Sequence, residues 1–144
     1  MPDTAAYSFW LWLFTVLLLL RVIGQIVVVR HAPRWLPPMA EWQSGLLPYP
    51  VLLLGQAIVL TLMAWIASDF TRHAGIFVQS YPGRGRAVVW FALVYFGGMI
   101  LRYIIWMYRR PDQRWLGGTI PIVFHCVVAA FIFTFGLYHV RLAG

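Results

Sequence analysis

Apolar residues run through this chain in four long blocks, separated by short polar or proline-rich breaks. The first extends from about Ser8 to Val29 around the core FWLWLFTVLLLL, and the second from about Val51 to Phe70, after Pro48-Tyr49-Pro50. The third covers about Ala87 to Tyr108 and the fourth about Thr119 to Val140. About 20 apolar helical residues cross the ~30 Å hydrocarbon layer of a bilayer, so each block predicts one transmembrane helix. The predicted fold is all-α, a polytopic four-transmembrane-helix bundle with short loops. Residues 1–144 then form a single integral membrane domain, because four spans leave no length for a soluble one.

The breaks carry their own signals. The leading MPDTAAY has an acid and no basic residue, unlike the positive n-region of a cleaved signal peptide, so the first helix is expected to stay in the mature protein. The first loop, HAPRWLPPMAEWQSGLLPYP, holds five prolines and two tryptophans. Proline blocks helix continuation and tryptophan favours the headgroup layer, which predicts a segment lying along the interface. Residues Ala74 to Tyr81 are apolar but too short to span, and predict a shallow interfacial or re-entrant piece.

Composition sharpens this picture. With 62% hydrophobic and 10% charged residues, the chain is neither an ordinary soluble globule nor a disordered segment. Its positive charge comes from 11 arginines and no lysine against 4 acids, a net +7. In so apolar a chain that charge marks membrane edges and anionic lipid, and no nucleic-acid partner is expected. Five loop arginines (Arg30, Arg34, Arg109, Arg110 and Arg114) share one face, which we call the loop face, and Arg21 and Arg102 lie towards it. The terminal face carries Arg72, Arg84, Arg86 and Arg141. The positive-inside rule then places both termini outside, and the expected setting is a bacterial inner membrane.

Candidate chemistry is sparse. There is no phosphate-binding glycine loop, no HExxH and no paired-carboxylate site within the spans. Cys126 is the single cysteine and excludes intramolecular disulfides. What remains is a polar set inside the spans: Arg21, Gln25, Gln56, Arg102 and His125. Counted from the nearest helix end at about 1.5 Å per residue, they lie roughly 10 Å deep, all in the leaflet of the loop face. Buried arginine is costly and normally finds a partner, yet Asp3, Glu41, Asp69 and Asp112 all sit at helix ends or loops. Two arginines without an internal counter-ion predict an anionic ligand in that leaflet: a lipid phosphate, a haem propionate or an acidic isoprenoid headgroup.

The histidines offer a second pattern. His125 and His139 are fourteen residues apart on the fourth span, which returns them to within about 40° of one face, roughly 21 Å apart along the axis. Ala129 and Gly136 lie on that face and would admit a flat macrocycle, while His31 and His73 follow the first and second spans on the matching sides. This spacing resembles that of haem-ligating histidines in membrane b-type cytochromes. The resemblance implies haem b as cofactor, with His125 and His139 as candidate axial ligands.

Elsewhere, Asp69 is placed to pair locally with Arg72 and His73, and Gly24, Gly55, Gly97 and Gly98 read as helix-packing points. The function expected is a small membrane subunit or accessory protein, working as a homo-oligomer or within a larger complex, that holds an amphipathic anionic ligand or lipid. The alternatives are a haem-binding electron-transfer protein and an enzyme acting on a lipid or isoprenoid headgroup.

Overall fold

The computed structural model describes residues 3–42, 47–79, 81–113 and 119–142. Arg114 and Trp115 lie outside the described residues, as does 43–46 of the first loop. Four long helices account for the four apolar blocks: α1 (Thr4–His31), α3 (Tyr49–Arg72), α4 (Pro82–Arg109) and α5 (Thr119–Arg141). A one-turn helix α2 (Met39–Trp42) interrupts the first loop, and a 3₁₀ turn covers Pro111–Gln113. All four long helices are long and apolar enough to cross a bilayer. The chain is an integral membrane protein with an all-helical, four-helix fold.

Local chemistry sets the ends. The Asp3 carboxylate accepts the Ala5 N–H at 3.0 Å and caps α1, which is why the helix begins four residues before its apolar core. Ala32 and His73 adopt left-handed backbone conformations that close α1 and α3. Pro50 and Pro82 stand in first turns, where a missing N–H costs nothing. At 28 residues each, α1 and α4 are roughly 42 Å long and exceed the hydrocarbon thickness, so they tilt or project into the headgroups.

The helices do not close into a square. Helix α1 packs against both α3 and α5, whereas α4 packs on α5 and its following turn only. The spatial order is therefore α3, α1, α5, α4, with the ends of that row curving towards one another. Only 6% of the apolar window of α4 is buried within the protein, against 33% for α1.

Packing is also uneven along the bundle axis. At the terminal face Leu11, Ala67 and Phe70 are fully buried. Phe70 of α3 reaches across to α5, its ring 4.6 Å from Tyr138 and 6.1 Å from Phe135. Tyr7 meets Tyr138 edge-on at 5.3 Å, which completes an aromatic knot joining three helices. Hydrogen bonds Ser8–Thr71 (2.8 Å), Trp12–Thr71 (2.9 Å) and Thr4–His73 (2.5 Å) tie α1 to the end of α3. Towards the loop face α3 separates: from Val51 to Leu62 Gln56 alone is buried.

Three local expectations change. Asp69 does not pair with Arg72 or His73; its carboxylate accepts the Phe77 N–H at 3.4 Å and pins segment 73–79 onto the bundle end. That segment is docked, with Phe77 against Trp65 and Phe135 and Val78 O accepting from Tyr138 at 3.3 Å. The first loop also turns inward: Trp42 is buried, and its ring fills the space beside Gly24, although Trp35 remains 78% exposed. Among the glycines expected to pack, Gly24 does, but Gly55, Gly97 and Gly98 have no neighbour within 4 Å of an added Cβ. The close α4–α5 approach lies instead at Gly85 and Gly136, where an added Cβ would come within 2.7 Å of His139 Cβ and 2.9 Å of Val89 Cγ2 respectively.

A Gly136→Leu substitution therefore forces α4 off α5, at a cost of about 1–3 kcal/mol. Gly97→Leu, pointing at lipid, should change stability by less than ~0.5 kcal/mol. Thermal unfolding of the detergent-purified protein, followed by tryptophan fluorescence, distinguishes the two.

Candidate functional site

The gap left by α3 forms a lateral groove of about 270 Å³ in the leaflet of the loop face. Leu18 and Arg21 of α1 contribute, Leu52, Gly55, Gln56 and Val59 of α3 form one wall, and Tyr95 of α4 with Phe124, His125 and Val128 of α5 form the other. Most of the lining is hydrocarbon, with a few polar groups at one level, the composition common in sites for amphipathic molecules.

Arg21 is 7% exposed. Its Nη2 donates to the Trp42 carbonyl at 2.8 Å, and its guanidinium lies 5.4 Å from the centroid of the Phe124 ring. Its Nε has no partner. The counter-ion that a buried arginine normally finds does not appear among the described residues, and a neutral acceptor takes its place. The partner is a backbone carbonyl at the end of α2, where the helix offers it no N–H.

Gln25 donates to the same carbonyl at 3.1 Å and is completely buried. It shares a helix face with Arg21 as its spacing requires, but its amide N–H serves Trp42, its Oε1 has no partner, and it does not line the groove. The indole N–H of Trp42 in turn donates to Pro37 O at 3.0 Å, which fixes the one-turn helix.

Gln56 is 8% exposed, and neither its amide nitrogen nor its oxygen has a hydrogen-bond partner. His125 Nδ1 hydrogen-bonds the hydroxyl of Tyr95, with the two rings edge-on at 5.8 Å. Tyr95 is itself stacked on Phe91, which steadies it. Arg102 does not line the groove, although its charge acts on both Tyr95 and His125. It borders a shallow recess on α4 with Gly98 and Arg109, roughly 10 Å further along the helix than Tyr95. Of the five sequence candidates the groove thus gathers Arg21, Gln56 and His125. Tyr95 and Trp42 had no polar signature to single them out from the chain's other aromatics.

The histidine pattern fares differently at its two ends. His125 is in the groove, but the face that would admit a macrocycle at Gly136 is filled by Val88 and Val89 of α4. His139 is buried edge-on between Phe135 (4.7 Å) and Tyr138 (5.3 Å), with Gly85 against its Cβ. His31 is exposed and His73 is engaged by Thr4. Of the two small residues that suggested room for haem, Gly136 is used for helix–helix contact and Ala129 is buried. Among the described residues no group of three or more His, Cys, Asp or Glu side chains could hold a metal ion.

The groove can therefore offer hydrogen bonds and positive charge to a headgroup, with hydrocarbon for a tail. The chain matches no protein-family model, no curated protein and no solved structure.

Because Gln25 serves the Trp42 carbonyl rather than the groove, Gln25→Leu should cost about 1 kcal/mol of stability. Ligand retained in the groove should be unchanged. A fall in melting temperature at constant co-purifying lipid is the expected readout.

Proposed function

We propose that this protein is a small integral membrane subunit that holds an amphipathic, anionic molecule by its headgroup in the lateral groove. The observation that carries this reading is that two residues with buried, unpartnered polar atoms, Gln56 and Arg21, both line the groove. Leaving such groups unsatisfied in an apolar setting costs about 1–3 kcal/mol each, so a ligand that pairs them recovers that energy on binding. A phosphate or carboxylate fits because Arg21 brings a full charge and no carboxylate lines the groove. Leu18, Val59 and Val128 supply the apolar bed for an attached chain. The exposed face of α4 supports a place in a homo-oligomer or a larger membrane complex. The setting proposed is a bacterial inner membrane, and the arginine distribution supports an orientation with both termini outside.

The test is mass spectrometry of the lipids retained by the purified protein. Arg21→Ala should lower retention of the anionic species about tenfold, equivalent to about 1.4 kcal/mol. Gln56→Leu should do the same while raising the stability of the empty protein, since it removes an orphan polar pair. Retention unchanged in both variants sinks the proposal.

A second reading, an enzyme acting on a lipid or isoprenoid headgroup, is favoured by the Tyr95–His125 pair, a proton-holding couple on the groove wall. Tyr95→Phe separates the two. A pure binding site retains its ligand within a few-fold, whereas an enzyme accumulates unconverted substrate in the variant.

A further inference from the structure

Helix α4 carries a charge that neither its own packing nor the groove accounts for. Gly98, Leu101, Arg102, Ile105, Trp106 and Arg109 recur at three- and four-residue spacing, which puts them on one stripe of α4. They alone line the recess of about 300 Å³ there, and α5 is the one long helix packed on α4.

Arg102 is half-buried and lies seven residues, roughly 10 Å, inside the end of α4 at Arg109. Cα–Cβ bonds tilt towards the start of a helix, which for α4 is the terminal face. Arg102 therefore leaves the backbone heading away from the nearer headgroups. Its charge reaches Tyr95, two turns back along the helix, and the His125 bonded to it. Among the described residues Arg102 has neither a hydrogen bond nor a carboxylate partner, and the chain's four acids all stand at helix ends or loops. An unpaired guanidinium at that depth is costly, so the counter-ion has to come from outside the chain.

Gly98 stands one turn before Arg102 on the same stripe, and nothing lies within 4 Å of a Cβ added there. A second helix can approach closely at Gly98 and reach Arg102 with a side chain one turn along. We infer that this stripe is the docking face for a transmembrane helix of another protein, one that carries an Asp or Glu at the level of Arg102. The inference rests on the subunit half of the proposed function and names the partner's chemistry; what the groove holds is a separate matter. A second copy in the same orientation brings no acid to that depth, and α4 against α4 would set Arg102 against Arg102. A lipid phosphate sits in the headgroup layer, the direction from which the Arg102 stem turns away.

The probe is a synthetic leucine–alanine helix of about 22 residues, with one Glu two turns from each end, so that either orientation presents a carboxylate at the level of Arg102. A second peptide replaces both Glu by Leu. Energy transfer from the labelled full chain in phosphatidylcholine vesicles reads association. The wild type should bind the Glu peptide about tenfold more tightly than the Leu peptide. Arg102→Leu should bind the two equally, and Arg102→Lys should keep most of the preference. Gly98→Leu should weaken both peptides, whereas Gly97→Leu, off the stripe, should weaken neither.

Equal binding of the two peptides by the wild type overturns the docking face, and that comparison needs no variant to fold. A Glu preference that survives Arg102→Leu overturns the part given to Arg102. Transfer between two copies of the chain, as strong as with the Glu peptide and lost in Arg102→Leu, overturns the foreign helix in favour of self-association. A phosphatidylglycerol kept by the wild type and lost in Arg102→Leu overturns it in favour of a lipid. None of these outcomes touches the groove, whose retention of an anionic molecule is read through Arg21→Ala and Gln56→Leu.

Discussion

A guanidinium placed ten residues inside a transmembrane helix has to be paired, and in this protein the pairing of Arg21 with the Trp42 carbonyl organises one end of the molecule. Hydrocarbon provides no competing acceptor, so the first loop cannot simply rest on the membrane surface. It turns inward, forms a single helical turn, and presents the carbonyl at that turn's end to Arg21 and Gln25 together. Bringing the carbonyl in also brings the Trp42 ring, which Gly24 accommodates by having no side chain. The same contact holds the guanidinium against Phe124, with its Nε buried and without a partner. The polarity of the groove is therefore a by-product of how the loop is anchored.

The two ends of the bundle solve the burial problem differently. At the terminal face Phe70, Phe135, Tyr7 and Tyr138 interlock, and hydroxyls from Ser8 and Thr71 pair across α1 and α3. At the loop face the side chains of α3 are mostly turned to lipid, and Gln56 is left facing its neighbours without a partner. Divergence from a tight knot at one end creates lateral space at the other, as it does between any two rods pinned together near one tip.

The spans could be read directly, because hydropathy over twenty residues depends on nothing but the chain itself. Their true ends could not, since Asp3 and the left-handed residues Ala32 and His73 extend helix into less apolar sequence. Within the site, depth counting found Arg21, Gln56 and His125. Arg102, about two turns further along α4 than Tyr95, does not line the groove that these three share. Gln25 was assigned to the right helix face but the wrong neighbour. A face is fixed by periodicity, while what packs there depends on a loop with no periodicity at all. The glycines make the same point: Gly97-Gly98 looks like a packing motif and meets nothing, while Gly136 and Gly85 carry the close approach.

Helix α4 rests on α5 and on no other long helix, yet it precedes α5 in the chain. During synthesis it must therefore enter the bilayer as a solitary segment, with α1 and α3 already able to associate beside it. Among the described residues no other long helix holds it until α5 emerges and seats Gly136 against Val89. Of these four helices it is thus the later one, α5, that recruits its predecessor α4. A chain that stalled after residue 113 would leave a joined pair and a drifting third helix, a form the membrane's quality-control proteases could tell from the finished protein.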